Sequence, residues 1–392
     1  MGKGFALLLV LVCLTSSLVI VDKPVSGDTA VGNTWVEKAP MPTARSDLGL
    51  TVVNGKIYAI GGQVLVYQDR EQTESKDVGT NEVYNPSNDS WSEKSPIPIP
   101  SSDFATAVYQ GKIYCIGGGV TNVFNDSTQS WETNISKGFN LIYDPTTDKW
   151  ENKTAMPIPE INTQANVLNG KIYLLGGYPN ASIVEMYNPA NDNWTLMTSM
   201  PTGFNGASVV YYNKIFEIGN MNWNQPQTIV YDPQNNSWNV EWKSPDFIGQ
   251  SIAVATSGTY APQKIYVFTI PIGSPTNTVI ENKVFDPTNQ SWAEDSAVPT
   301  TRGRGYAIVA DNDLIYVIGG YSSTMPSIVS IDQNPRITYL AIVEEYVPSG
   351  YGTVSLTSTT SVPEFQIWTI PLLLVVRATV SLLVYLKKQN RH

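Results

Sequence analysis

A repeated stretch constrains the fold of this chain more than any other feature. Residues 54–62 read NGKIYAIGG, and they are followed by VYNP and then by Trp91. GKIYCIGG at 111–118 leads in the same way to IYDP and Trp150, and GKIYLLGG at 170–177 leads to MYNP and Trp194. Self-similarity at a period of tens of residues is the signature of repeat architectures such as solenoids and propellers. The repeat therefore predicts the architecture before any ligand is considered.

Each unit predicts four short strands, which we name A to D in chain order. In the first unit, strand A covers 48–53, strand B covers 57–60, strand C covers 82–84 and strand D begins at Trp91. Asn54-Gly55 is typical of a two-residue hairpin turn, and Asn85-Pro86 is typical of a type I turn. The chain contains six such units. Their B strands are marked by Ile57, Ile113, Ile172, Ile215, Ile265 and Ile315. Their C strands carry Tyr84, Tyr143, Tyr187, Tyr231, Phe285 and Tyr346. Their D strands start at Trp35, Trp91, Trp150, Trp194, Trp238 and Trp292.

The two ends of the repeat region are incomplete in a complementary way. Trp35 marks a D strand that precedes every A strand, and the last unit stops after its C strand at Tyr346. We therefore expect the first strand to complete the last blade, which leaves no exposed radial edge. The pattern resembles the kelch family of β-propellers over residues 35–348. The prediction is an all-β, six-bladed kelch-type β-propeller, and units 4 and 5, which lack the Gly-Gly pair, are expected to pack differently.

Composition excludes several classes of function. The formal net charge is −10 and only 15% of residues are charged, which argues against a nucleic-acid partner. The single histidine is His392, so Ser-His-Asp or Cys-His catalysis and imidazole-based metal sites are not expected. Cys115 is the one cysteine outside the apolar leader, and we interpret it as a core residue. We predict neither a metal nor a cofactor.

Both ends of the chain predict membrane targeting. Residues 1–30 have a positive start and an apolar core, which is typical of a secretory signal, with an uncleaved anchor as the alternative. Residues 31–348 form the predicted propeller, and 349–366 form a Ser/Thr-rich stalk. Residues 367–386 are long enough to span a bilayer, and the basic tail 387–392 would remain in the cytoplasm. We expect a cell-surface protein with a single membrane span.

The residues just before this span resemble a known tail signal. Val362-Pro363-Glu364-Phe365 resembles the Pro-Glu-Phe tails of archaeal surface proteins, although Gln366 stands where proline is usual. In that family the tail can be exchanged for a lipid anchor. The resemblance implies an archaeal surface protein.

The alternating strand directions separate two faces of the predicted propeller. A–B and C–D turns emerge on one face, which we call the turn face, and B–C and D–A connections emerge on the other, the loop face. The loop face holds nearly all of the variation in length, so we predict ligand binding there. The candidates are Arg45, Ser102, Asp103, Glu160, Asn162, Phe204, Asn205, Gln250, Arg302 and Arg304, together with the loop residues Trp131 and Trp223. The alternatives are a solvated rim with mutual salt bridges, and tryptophans that merely cap the blades.

Two further features extend the prediction. Asn-x-Ser/Thr sequons, which are either glycosylation sites or ordinary turn residues, occur at Asn88, Asn125, Asn134, Asn152, Asn180, Asn193, Asn235 and Asn289. Glu217 lies in a strand-B position that is apolar or cysteine in the other units, where an acid needs a hidden partner or a raised pKa. It is interpreted either as a general acid/base or as the mark of a locally distorted unit.

These observations favour a surface binding or adhesion propeller that recognises a glycan or a protein through its loop face. The alternative is a sugar-modifying enzyme. Sialic-acid mutarotases have similar secreted kelch propellers, and that resemblance implies catalysis by Arg45, Glu160, Arg302 and Arg304. Copper-radical sugar oxidases share the fold but need histidine ligands. We favour binding over catalysis, because no catalytic set is assembled in the sequence.

Overall fold

The computed structural model describes residues 32–354, except for 69–71, 126–129, 136–137, 202, 204–205, 221–225, 244–250, 270–278, 304–305, 310 and 325–335. The predicted signal, span and basic tail, and the stalk beyond residue 354, lie outside the described residues. Within the described part, no helix is long and apolar enough to cross a membrane.

The described residues form thirty β-strands. The first fifteen are β1 (Thr34–Lys38), β2 (Gly49–Val53), β3 (Lys56–Ile60), β4 (Gln63–Gln68), β5 (Gln72–Asp77), β6 (Asn81–Asn85), β7 (Ser90–Lys94), β8 (Ala105–Tyr109), β9 (Lys112–Ile116), β10 (Val120–Asn125), β11 (Ser130–Ile135), β12 (Asn140–Asp144), β13 (Lys149–Asn152), β14 (Gln164–Leu168) and β15 (Lys171–Leu175). The others are β16 (Val184–Asn188), β17 (Asn193–Leu196), β18 (Ala207–Tyr211), β19 (Lys214–Asn220), β20 (Pro226–Asp232), β21 (Ser237–Lys243), β22 (Ser251–Ala255), β23 (Ile265–Thr269), β24 (Glu281–Asp286), β25 (Ser291–Asp295), β26 (Tyr306–Val309), β27 (Ile315–Ile318), β28 (Tyr321–Thr324), β29 (Arg336–Tyr339) and β30 (Val343–Val347).

Twenty-four of these strands build six antiparallel, four-stranded blades. From strand A to strand D, blades 1 to 6 are β2-β3-β6-β7, β8-β9-β12-β13, β14-β15-β16-β17, β18-β19-β20-β21, β22-β23-β24-β25 and β26-β27-β30-β1. Each A strand contacts the A strands of both neighbouring blades, and the contact between β2 and β26 completes the ring. The chain therefore folds as a six-bladed, all-β propeller, which confirms the predicted fold class.

The first strand completes the last blade, as the repeat order predicts. β1 pairs antiparallel with β30, with Trp35 opposite Tyr346. The hydrophobic core is divided among the interfaces between blades. For example, Ile57, Ala59 and Tyr84 of blade 1 pack with Tyr316 and Ile318 of blade 6. A blade buries its two faces only against its neighbours, so closing the ring covers the last apolar face.

The repeated tyrosine and tryptophan tie blades 1 to 4 and blade 6 to the blade before each of them. In blade 1, the Tyr84 hydroxyl donates to Asp89 Oδ1 at 2.6 Å, and the same oxygen accepts the Ala39 amide N–H from the preceding segment at 2.8 Å. Trp91 Nε1 donates to the Ala39 carbonyl at 2.9 Å, and its ring centroid lies 5.1 Å from that of Tyr84. Buried Tyr and Trp side chains need such partners for their polar ends, which explains why the two residues recur together.

The Gly-Gly pair at the end of strand B marks a close approach of two backbones. Gly61 and Gly62 both have positive φ, at 61° and 90°. A Cβ at Gly61 would lie 2.5 Å from the Ser101 carbonyl oxygen, and one at Gly62 would lie 2.6 Å from the Ser46 carbonyl oxygen. The motif thus lets the B strand end between two D–A connections, a fit that only glycine allows.

Blades 4 and 5 depart from the regular unit, as expected. β19 continues as a strand through Gly219 and Asn220, where the other blades turn. Its partner β20 pairs with β21 through a β-bulge next to Thr228. In blade 5, among the described residues, Trp292 Nε1 has no hydrogen-bond partner. The equivalent position to Tyr84 is Phe285, which has no hydroxyl to donate.

Candidate functional site

The A strands enclose a central cavity of about 920 Å³. Asp47, Asp103 and Asn162, each two residues before an A strand, line it at the loop face. Their φ angles are 55°, 55° and 54°, a left-handed conformation that Asp and Asn tolerate. The Asp103 amide donates to the Asp47 carbonyl at 3.0 Å, and the Asn162 amide donates to the Asp103 carbonyl at 2.8 Å. The D–A connections of blades 1 to 3 are thereby joined along the cavity mouth.

Two of the predicted rim residues, Arg45 and Arg302, lie inside their blades. Both side chains are 0% exposed. Arg45 Nη2 pairs with Glu82 Oε2 at 2.7 Å, and Arg302 Nη2 pairs in the same way with Glu344 Oε2. The expectation that these arginines surround the channel mouth is therefore wrong. A glutamate on strand C, far away in sequence, draws each guanidinium inward.

The Arg45 guanidinium is fully occupied. Besides Glu82, it donates to the carbonyl oxygens of Gly61 at 2.7 Å, Thr80 at 3.1 Å and Ala59 at 3.2 Å. Nε donates to the Thr43 carbonyl at 3.4 Å. All five N–H donors of an arginine are thus directed to the protein. Arg45 organises the end of strand B and presents no donor to a ligand.

Blade 3 places an acid where blades 1 and 6 have arginine. Glu160 precedes strand A at the same position as Arg45, and it is also fully buried. Its carboxylate accepts from Asn180 Nδ2 at 2.7 Å and from the Asn180 amide at 3.2 Å. Glu185 takes the position of Glu82. Burial, together with repulsion from Glu160, raises the pKa of Glu185 to about 7, against the effect of a hydrogen bond from the Ile158 amide.

Three extra hairpins stand next to one another on the loop face, and we call them the three-hairpin wall. They are β28–β29 of blade 6, β4–β5 of blade 1 and β10–β11 of blade 2. β29 contacts β4, and β5 contacts β10. The Tyr339 hydroxyl hydrogen-bonds with Ser75 Oγ at 2.7 Å and donates to Gln63 Oε1 at 3.3 Å. The sequence predicted only variable loops here, and the apolar, β-branched and aromatic run within residues 63–68 (QVLVYQ) was the missed signal.

The wall is joined to the cavity mouth through Ser102. Gln63 Nε2 donates to Ser102 Oγ and to Asp77 Oδ1, both at 3.2 Å. Burial raises the pKa of Asp77, while hydrogen bonds from Ser102 and Gln63 oppose the shift. On the opposite side of the mouth, blade 3 has only a short B–C connection. There, Tyr178 lines the cavity and is 58% exposed. The sequence prediction did not include Tyr178.

Glu217 lies in the cavity wall between blades 3 and 4. It is 2% exposed, and its Oε1 has no hydrogen-bond partner among the described residues. Burial raises the pKa of Glu217 to about 8, and the hydroxyl of Ser208 opposes the shift. The sequence predicted either a raised pKa or a hidden partner for this acid, and the burial of Glu217 favours the raised pKa. Cys115 is buried in the core, and burial raises its thiol pKa, as expected of a structural cysteine.

Comparison with known proteins supports the architecture. A kelch-motif family model matches residues 44–98 and 162–201. The chain is a β-propeller that contains kelch motifs, in blades 1 and 3. "Kelch repeat and BTB domain-containing protein 1" of Cowpox virus is 32% identical over 143 residues, which cover 36% of this chain and 22% of that protein.

Two other relatives match at a similar level. "Beta-scruin" of Limulus polyphemus is 30% identical over 143 residues, covering 36% of this chain and 14% of that protein. Human "Kelch repeat and BTB domain-containing protein 12" is 31% identical over 161 residues, covering 39% of this chain and 25% of that protein. The matches to these curated relatives span a quarter of their length or less, so they support the repeat architecture and not a shared activity.

The remaining predictions are located as follows. Five of the predicted ligand-binding residues lie outside the described residues: Phe204, Asn205, Gln250, Arg304 and Trp223. Trp131 is part of strand β11. Asn125 and Asn134 also lie in the β10–β11 hairpin. Among the sequon residues whose exposure the structure describes, Asn88, Asn152, Asn193, Asn235 and Asn289 are exposed and Asn180 is half-buried. Exposure is required for glycosylation, which stays a prediction.

Proposed function

We propose that this kelch propeller is a protein-interaction scaffold that holds its partner on the loop face. The asymmetry of that face carries the proposal. The three-hairpin wall rises along blades 6, 1 and 2, and the short B–C connection of blade 3 leaves a lower ledge across the mouth. A wall beside a ledge offers a concave corner for a partner segment. A flat ring of short turns would not.

Tyr178 is the proposed anchor on the ledge. It is 58% exposed, lines the cavity and belongs to a residue type that is enriched at the energetic centres of interfaces. The chain offers a matched control on the turn face, because Tyr212 in the A–B turn of blade 4 is 67% exposed. The two tyrosines are similar in size and exposure but lie on opposite faces.

A photo-crosslinking amino acid at position 178 or at position 212 tests the proposal in the full-length protein on its native cells. We expect a discrete adduct from position 178 and none from position 212. Tyr178→Ala should also abolish any adduct formed from a second probe at Ser75 on the wall. Equal crosslinking from both faces, or crosslinking from position 212 alone, would refute the loop-face assignment. An adduct that a glycosidase removes would identify a glycan instead of a protein chain.

We also propose that the propeller is displayed outside the cell. Residues 1–30 and 367–386 have the composition of a signal and a span, and exposed sequons lie in the C–D turns. Protease treatment of intact cells should digest the propeller, and a glycosidase should increase its gel mobility. Protection of the propeller in intact cells, with digestion only after lysis, would contradict this orientation.

We do not propose the sugar-modifying alternative. Arg45, Glu160 and Arg302 are buried, and their polar groups are bonded within the protein, so the described part of the mouth presents none of them to a sugar.

A further inference from the structure

One row of side chains recurs across strands A, B and C of the blades and faces the preceding blade. In blade 1 the row is Leu50, Ala59 and Glu82. In blade 4 it is Ser208, Glu217 and Ile229. The acid of blade 4 therefore stands one strand closer to the central cavity than the acid of blade 1. This position puts a carboxyl group in the cavity wall.

In blades 1 and 6 an arginine neutralises the acid of this row. Arg45 and Arg302, each four residues before the first residue of strand A, pair with Glu82 and Glu344. The equivalent position in blade 4 is Gly203. Glu217 thus has the environment of a buried ion pair from which the cation is missing. An ionised carboxylate is costly in such an environment, so a cation that donates hydrogen bonds to Glu217 would stabilise its charged form.

Space next to Glu217 is also present. The residue just before strand A is a buried Leu48 in blade 1 and a buried Phe104 in blade 2, whereas it is Gly206 in blade 4. Gly206, Ala181 and Met200 line the same cavity as Glu217. The large side chains that occupy this position in blades 1 and 2 have no counterpart at Gly206.

Hydrogen bonds between blades 3 and 4 fix the polar side chains next to Glu217. Gln164 of blade 3 bridges to blade 4 by donating to the Gly206 carbonyl at 2.5 Å and accepting from the Ser208 amide. Asn166 Nδ2 donates to Ser208 Oγ at 2.6 Å. Ser251 Oγ of blade 5, which also lines the cavity, has no hydrogen-bond partner among the described residues. Two acceptors, Glu217 Oε1 and Ser251 Oγ, are therefore left for donors from a ligand.

The charge of the cavity favours a positive ligand. The described lining residues include the carboxylates of Asp47, Asp103, Asp311 and Glu217, and none of those residues is lysine or arginine. A cleft lined by charges of one sign concentrates ions of the opposite sign. We propose that the central cavity binds an organic cation with N–H donors, an alkylguanidinium, and that Glu217 is the carboxylate that anchors it.

This cavity site is distinct from the loop-face interaction proposed above. Its guanidinium ligand could come from a free small molecule or from an arginine side chain of a partner protein. The test is calorimetric titration of the full-length protein with butylguanidinium, with butylurea as an uncharged ligand of the same shape. We expect binding of butylguanidinium and no detectable binding of butylurea. An acetylated, amidated Gly-Arg-Gly peptide distinguishes the two sources, because it binds only if the cavity admits an arginine within a chain.

Three variants complete the test. Glu217→Gln should weaken butylguanidinium binding by about 10- to 100-fold, the range for loss of a hydrogen bond to a charged group. Glu217→Leu should abolish binding and still fold, because Leu174 and Val267 occupy this position in blades 3 and 5. Glu93→Gln removes the same charge from the exposed outer strand β7 and should leave the affinity within about twofold.

Equal affinity in the wild-type, Glu217→Gln and Glu217→Leu proteins would overturn the assignment, and so would equal affinity for butylurea. Absence of butylguanidinium binding to the folded wild-type protein would show that Glu217 is a buried acid without a ligand. None of these outcomes bears on crosslinking at position 178, so the failure of one proposal can be distinguished from the failure of the other.

Discussion

Blades 6 and 1 and blades 3 and 4 treat a buried acid in opposite ways. In blades 6 and 1, Glu344 and Glu82 each receive a guanidinium from their own blade. In blade 3 the arginine position is occupied by Glu160, and in blade 4 it is occupied by Gly203. In blades 6 and 1 each of these acids has a cationic partner. In blades 3 and 4 the carboxyl groups of Glu185 and Glu217 have raised pKa values. The residue four positions before strand A thus determines whether the buried acid of a blade has a cationic partner.

The three-hairpin wall stands on the side of the ring that contains the arginine pairs. Blades 6 and 1 anchor two of its hairpins, and the strand that closes the ring lies in blade 6. The unpaired acids lie on the side with the ledge. The buried ion pairs and the buried acids without a cation are therefore separated around the ring.

Breaking the Arg45–Glu82 pair should have the largest effect. Arg45→Met leaves Glu82 buried without its cation and should lower the free energy of unfolding by about 3–5 kcal/mol, measured by chemical denaturation. Arg45→Met combined with Glu82→Leu should recover most of the loss, because Leu141 occupies the Glu82 position in blade 2. Lys112→Met, which breaks the exposed pair with Asp144, should lower the free energy of unfolding far less than Arg45→Met does. Similar losses from Arg45→Met and Lys112→Met would contradict the comparison.

The next effect is a dependence of stability on pH that comes from Glu217. Its pKa is raised to about 8 in the folded protein, so the folded state holds the proton more tightly than the unfolded chain does. Stability is therefore lost as the pH rises towards 8. Between pH 6 and pH 9 the wild-type protein should lose about 2–3 kcal/mol more than Glu217→Gln does. Identical pH profiles for the two proteins would show that Glu217 has an ordinary pKa.

The smallest effect compares two tryptophans. Trp91 packs against Tyr84 with ring centroids 5.1 Å apart and donates to the Ala39 carbonyl, whereas Trp292 packs against Phe285 with centroids 4.8 Å apart and has no partner for Nε1 among the described residues. Replacement by phenylalanine should cost about 1 kcal/mol more at Trp91 than at Trp292, the value of one hydrogen bond. Thermal unfolding of the two variants measures the difference, and an equal cost would imply that the hydrogen bond at Trp91 contributes nothing net.

The sequence predicted the fold well because the repeat is local. Asn54-Gly55, Gly61-Gly62 and the Tyr–Trp pair act within one unit or between neighbouring units, and the incomplete ends predicted the pairing of β1 with β30. The candidate site was predicted less well because it depends on contacts between distant residues. The position of Arg45 suggested a rim, but Glu82, which lies 37 residues away, determines where the guanidinium goes. Glu217 was recognisable because its departure from an apolar column is visible in the repeat itself.

The pairing of β1 with β30 also determines how the propeller would respond to tension. Gly32 lies against Pro348 and Gly350, so the two ends of the described chain leave the ring side by side. A force that pulls residues 32 and 354 apart acts on the ladder between Thr34–Lys38 and Val343–Val347 and on the contacts of the C-terminal segment with blade 5, such as the hydrogen bond from the Gly352 amide to the Tyr260 carbonyl. Tension can open the ring between β1 and β30 only by breaking this ladder.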